Sequence, residues 1–152
     1  MTRWVVDTNV IFSATYDAES QPGRIFQLAA LGHVQLFSSE EAREEVRRAF
    51  RDKLEYSKLR MESAIESLPV QWVPSSGVSL ERVRAGKVIG DRKDAHIVAV
   101  ALYLELPLLT SDRRLRRDAS DLVDTVSVAY AWKEVRGLLG YLPRPTTTSG
   151  SA

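Results

Sequence analysis

The 152-residue chain has no cysteine, which excludes disulfides, iron–sulfur clusters and thiolate zinc sites. Its two histidines, His33 and His96, are its only imidazoles. A metal would therefore sit mainly among oxygen donors, a setting that favours magnesium or manganese over zinc. Charge of one sign is lacking as well: 21 Lys and Arg stand against 20 Asp and Glu, a net charge of +1, so any basic surface must be local. No apolar run approaches the roughly 20 residues of a membrane helix. The amino terminus, one arginine followed by a strand, is unlike the apolar stretch of a signal peptide, and a cytoplasmic protein is expected. What is present, 44% hydrophobic and 27% charged residues, suits one soluble domain with a sizeable core.

Strand and helix patterns alternate along the chain. Trp4–Val6 is a short buried strand, and after the polar loop TYDAESQPG a helix covers Arg24–Leu31, stopped by Gly32. HVQLF is a second strand, followed by the helix SSEEAREEVRRAF, with Ser38 and Glu41 as a capping box. A helix over about residues 55–68 leads to a third strand at Pro69–Val73. Residues 75–90 suggest a short helix inside a loop. Asp91 stands at the cap of a helix, DRKDAHIVAVALYLEL, that is apolar on nearly every side and so expected to be buried. PLLTSD, RRLRRDA, DTVSV and AYAWKEVRGLLG complete the pattern as strand, helix, strand and helix. Alternation without hairpin signals predicts a parallel sheet with helices on both faces. The domain is expected over 1–142, with PRPTTTSGSA (143–152) as a disordered tail.

Ligands of open parallel sheets bind outside the carboxyl ends of the strands, near the switch in strand order. Asp7 follows the first strand and Asp112 the fourth, so the two share one end of the sheet if those strands are neighbours. Asp91 and Asp94 lie in the first turn of the apolar helix; winding alone leaves open which end of the sheet they reach. Among Glu40, Glu41, Glu44 and Glu45, helix phase places Glu45 on the flank of the stripe formed by Ala42, Val46 and Ala49, and an acid facing the core side needs a cation or a basic partner. Each acid also has an ordinary explanation: Asp7 in an Asx-turn, Asp91 and Asp112 as helix caps, Asp94 beside a helix dipole. Grouped carboxylates repel one another unless a cation neutralises them. Two divalent ions about 3.5–4 Å apart can hold a scissile phosphate and activate water. Asn9 could position water or phosphate, with Thr110 and Ser111 supporting the ligands. Arg92, Lys93, Arg113, Arg114, Arg116 and Arg117 could bind phosphates along an RNA strand, or form a solvated helix face. His96 is expected to be a packed or partly exposed helix residue, not a ligand, and Trp4, Trp72 and Trp132 to pack in the core or an interface.

Four blocks in order, VVDTNVIFSA, FSSEEAREEV, DRKDAHIVAVAL and PLLTSDRRL, resemble a PIN-domain ribonuclease over about residues 3–130. The resemblance implies an α/β fold, a three-layer α/β/α sandwich around a parallel five-stranded sheet. It implies a metal-dependent endoribonuclease with catalytic acids at Asp7, Glu45, Asp94 and Asp112. Magnesium or manganese would be held by Asp7, Asp94 and Asp112, with Asp91 as a frequent extra ligand. It also implies RNA as substrate and, as in VapC-like toxins, a cognate antitoxin and a homodimer. An inactive RNA-binding or protein-interaction module of the same fold is the alternative. A haloacid-dehalogenase-like phosphatase would need a second aspartate where this chain has Asn9.

Overall fold

The computed structural model describes residues 1–90 and 92–142, with the side chain of Arg92 excepted. Five parallel strands form the sheet: β1 (Thr2–Val6), β2 (Val34–Ser39), β3 (Val70–Val73), β4 (Leu108–Leu109) and β5 (Thr125–Val126), in the order β3-β2-β1-β4-β5. The central β1 pairs Trp4 with Leu36 on one side and Val6 with Leu109 on the other. The strand order reverses between β1 and β4, the neighbours that the two-acid argument requires.

Helices α1 (Thr8–Tyr16), α2 (Gln21–Ala30), α3 (Glu40–Lys53), α4 (Lys58–Glu66) and α8 (Val128–Val135) cover one face. Helices α5 (Ser79–Gly86), α6 (Arg92–Leu104) and α7 (Arg113–Ala119) cover the other. Side-chain alternation along the strands supplies both cores. Trp4, Val6, Leu36 and Leu109 join the first, against Ile25, Leu28, Val46 and Phe50. Val5 and Leu108 join the second, against Ile97, Val98 and Leu115. This is the three-layer sandwich. Trp72 and Trp132 pack at the margin of the first core.

The helices depart from the sequence reading at their ends. α1 was not expected: Val10, Ile11 and Ala14 bury one side, and Asp7 caps its start by accepting from the Thr8 amide. The polar loop is correspondingly shorter. α2 begins before Arg24, because Ser20 caps it, accepting from the Gly23 amide, and Pro22 suits a first turn. α3 is capped by Ser39, whose Oγ accepts from the Ala42 amide at 2.9 Å. Ser38 instead donates to the Val6 carbonyl, and Glu41 accepts from Ser75 and Arg82, so the expected capping box does not form. Residues 75–86 are mostly helical, a 3-10 turn at Ser75–Val78 leading into α5. The last helix is α only to Val135 and continues as a 3-10 turn, Arg136–Tyr141. The predicted tail, 143–152, and the cap residue Asp91 lie outside the described residues.

A candidate acidic site at the carboxyl ends of the strands

A line of hydrogen bonds crosses the carboxyl ends of β4, β1 and β2. It begins at Asp112, which caps α7 by accepting from the Arg114 and Leu115 amides through Oδ1. The Asp112 amide donates to Thr110 Oγ1 at 3.1 Å, and the Thr110 hydroxyl donates to Asp7 Oδ2 at 2.8 Å. Asp7 Oδ1 accepts from the Thr8 amide at 2.7 Å. The Thr8 hydroxyl donates to Glu45 Oε2 at 2.8 Å. Glu45 Oε1 lies 3.0 Å from His96 Nε2, and His96 Nδ1 lies 2.6 Å from Ser39 Oγ. Backbone pairing sets the start of this line. The Asp7 amide donates to the Leu109 carbonyl, which places Thr110 beside Asp7 across the switch point.

The electrostatics differ along the line. Asp7 is 6% exposed, and its partners are a hydroxyl and an amide without formal charge. Burial is the largest influence and, with the nearby Glu45 charge, raises its carboxyl above the usual range despite the Thr110 and Thr8 hydrogen bonds. Partial burial also pushes Glu45 upward, but hydrogen bonds from His96 and Thr8 outweigh it and hold that carboxyl below its ordinary value. Glu44, by contrast, is exposed and paired with Arg47, whose hydrogen bond holds it low.

The structure therefore joins Asp7, Glu45, Thr110 and Asp112 in one network. Asp94 is half-buried in the first turn of α6, two residues before His96. The contacts of His96 with Ser39 and Glu45 bring the start of α6 to the carboxyl end of β2, which winding alone had left open. Asn9 is exposed and lines a cleft with Thr8, Glu45 and Arg48. A second opening, of about 570 Å³, is bordered by the acids Glu40, Glu41, Glu44 and Glu45 together with Arg48, Arg82, Lys93 and His96. Ser111, Arg113 and Arg114 are exposed at the start of α7, and Arg116 is engaged with the Thr110 carbonyl through Nη1 at 3.0 Å. Asp91 and the Arg92 side chain lie outside the described residues.

Among the described residues, no three His, Asp or Glu side chains are close enough together to hold a metal ion as they stand. The donor chemistry nevertheless fits a hard divalent cation. The acids offer oxygen ligands only, and the burial of Asp7 makes its negative charge costly in a way a bound cation would relieve.

Sequence reasoning missed Thr8, Ser39 and His96. The last carried a readable signal, because a polar ring on an otherwise apolar, buried helix must find hydrogen-bond partners.

A PIN domain family model matches residues 3–114. No curated protein matches by sequence. Among solved structures, VapBC2 from Rickettsia felis, bound to a DNA fragment from its promoter, is 12% identical with a TM-score of 0.64, over 83% of this chain and 98% of that one. DNA-bound VapBC from Salmonella typhimurium is 16% identical with a TM-score of 0.59, over 84% and 99%. PAE2754 from Pyrobaculum aerophilum is 15% identical with a TM-score of 0.58, over 90% and 96%. At such identities these likenesses show the fold.

Proposed function

The chain belongs to the PIN domain family, and from that premise we propose that it is a metal-dependent endoribonuclease acting on single-stranded RNA. The observation that carries the reading is the hydrogen-bonded line of acids at the switch point, with Asp7 buried and costly to ionise. Asp7, Asp94 and Asp112, with Asp91, would hold Mg2+ or Mn2+. A divalent cation so held lowers the pKa of bound water and stabilises charge on a phosphoryl oxygen. Glu45 serves as a fixed negative charge, kept ionised by the Thr8 and His96 donors. Asn9 orients water or phosphate from the adjoining cleft, and Thr110 holds the Asp7 carboxylate in place. Ser111 supports the turn into α7. Arg92, Lys93, Arg113 and Arg114 contact the RNA backbone. By analogy with the VapBC assemblies, the chain acts in the cytoplasm as the toxin of a toxin–antitoxin pair and as a homodimer. No helix among the described residues is long and apolar enough to cross a membrane.

The test is cleavage of a mixed-sequence single-stranded RNA in Mn2+ or Mg2+, beside a chelator control. Cutting that the chelator stops is expected. RNA binding without cutting by a folded, Mn2+-loaded protein would leave an inactive RNA-binding module instead. The choice between neighbouring glutamates is tested in the same assay. Glu45→Gln should slow cleavage by roughly tenfold or more, about 1.4 kcal/mol at the transition state. Glu44→Gln, which removes only an exposed pair with Arg47, should stay within about twofold of wild type.

A further inference from the structure

His96 is 5% exposed, Ser39 2%, and their hydrogen bonds fix which ring nitrogen carries the proton. The ionised Glu45 carboxylate can only accept a hydrogen bond, whereas Ser39 Oγ, which accepts from the Ala42 amide, also has a hydrogen to donate to His96 Nδ1 at 2.6 Å. The other ring nitrogen, Nε2, then bears hydrogen and donates to Glu45 Oε1 at 3.0 Å. Thr8 donates to the second carboxylate oxygen at 2.8 Å. Glu45 is thus held by one donor from α1 and one from α6, two elements that also carry or adjoin Asp7 and Asp94, and neither donor belongs to α3. An unheld glutamate at a half-exposed helix position samples several rotamers. The burial that lets Ser39 anchor the ring also bars it from acting as a nucleophile, so the Ser39–His96–Glu45 line is a mechanical one.

We propose that His96, anchored by Ser39, is a positioning residue that clamps the Glu45 carboxylate in the geometry the site uses. This rests on the nuclease reading above. His96→Asn keeps an amide where Nδ1 stood, still within reach of Ser39, but falls short of Glu45. His96→Gln places its amide nitrogen where Nε2 stood and restores the donor. Both are compared with wild type, Glu45→Gln and the double variant Glu45→Gln/His96→Asn, through kcat and KM for Mn2+-dependent RNA cleavage. Side-chain scalar couplings reporting Glu45 χ1 are measured in the metal-free proteins.

His96→Asn is expected to lower kcat by roughly tenfold with KM nearly unchanged, and to average the Glu45 couplings. His96→Gln should recover most of the rate and the single rotamer, and the double variant should be no slower than Glu45→Gln alone. Equal losses in the Asn and Gln variants, or a double variant slowed by both factors, would overturn the clamp and leave His96 a packing residue. If wild type cuts no RNA, the nuclease reading fails, and the Glu45 couplings still decide: averaging in His96→Asn supports the clamp and an unchanged rotamer rejects it. Should the Asn variant not fold, nitrogen NMR of the wild-type ring decides, with an Nε2 that carries no hydrogen as the overturning result.

Discussion

Asp7→Asn is expected to abolish measurable metal-dependent cleavage, a loss of roughly 100-fold or more, about 2.7 kcal/mol, while making the metal-free protein more stable at neutral pH. The two effects share one cause. The Asp7 carboxyl is raised by burial, so the folded state disfavours its ionised form. A carboxyl raised in this way weakens the fold as pH climbs from the ordinary aspartate range through the raised value. Asparagine escapes that cost: its amide oxygen accepts from the Thr8 amide, it caps α1 as well as aspartate does, and its NH2 donates to Thr110 Oγ1, a reversal that takes the acceptor from the Thr110 hydrogen and offsets part of the gain. Thermal unfolding in chelator, across pH, checks this. The variant should melt a few degrees above wild type at neutral pH, since about 1 kcal/mol moves a chain of this size by roughly 2–4 °C. The gap should close in acid, where wild-type Asp7 is neutral. Glu45 has the opposite sign: its lowered carboxyl stabilises the fold above the ordinary glutamate range, and that support fades as pH falls through the lowered value. Glu45 is present in both proteins, so their difference reports Asp7 together with its repulsion by the Glu45 charge. A variant less stable than wild type at neutral pH would contradict the account.

Thr110→Val should carry the second largest effect, a loss of roughly 2–3 kcal/mol in stability. The substitution preserves shape, so no cavity opens in this fully buried position. What disappears is a hydroxyl with two partners: it donates to Asp7 Oδ2 and accepts from the Asp112 amide. Both are left without that bond in or near the interior. Because the Thr110 hydroxyl favours the ionised form of Asp7, the loss should be greater at neutral than at acid pH. Urea unfolding at both conditions measures it. The Mn2+ concentration needed to stabilise the variant should also rise, because a proton then competes better for the Asp7 carboxyl. A neutral substitution would mean that Thr110 is packing alone.

The alternation of short apolar strands with helices was legible because each strand reads as a two-sided buried run and each helix as a stripe. Asp7, Glu45 and Asp112 were legible because they stand at element ends or on a helix flank where an acid is out of place. α1 was not, because Thr8–Tyr16 follows a strand so closely that its apolar residues look like a continuation of it; only the capping bond from Asp7 marks the break. The identity of the α3 cap turned on one residue. Ser38 and Ser39 are equivalent in a string of letters, and the pleat of β2 decides which hydroxyl meets the Val6 carbonyl and which meets the helix amides. The role of His96 could not be assigned because its partners lie 51 and 57 positions away. Sequence shows that such a ring needs partners but not where they are.

The placement of β1 at the middle of the sheet bears on the order in which the molecule comes into being. Its contacts with β2 bridge 32 residues, as in the Ser38 bond to Val6, whereas Asp7 and Thr110 are 103 apart. Loop closure delays such distant pairings. On a ribosome, β1 and β2 emerge together, but β1 keeps one bare edge until Leu108–Leu109 has been made and docks against it. A chain halted after His96 but before that point holds Asp7, Glu45 and His96 without the strand that brings Thr110 and Asp112. Translation cut short before Thr110 therefore releases no fragment with the complete site.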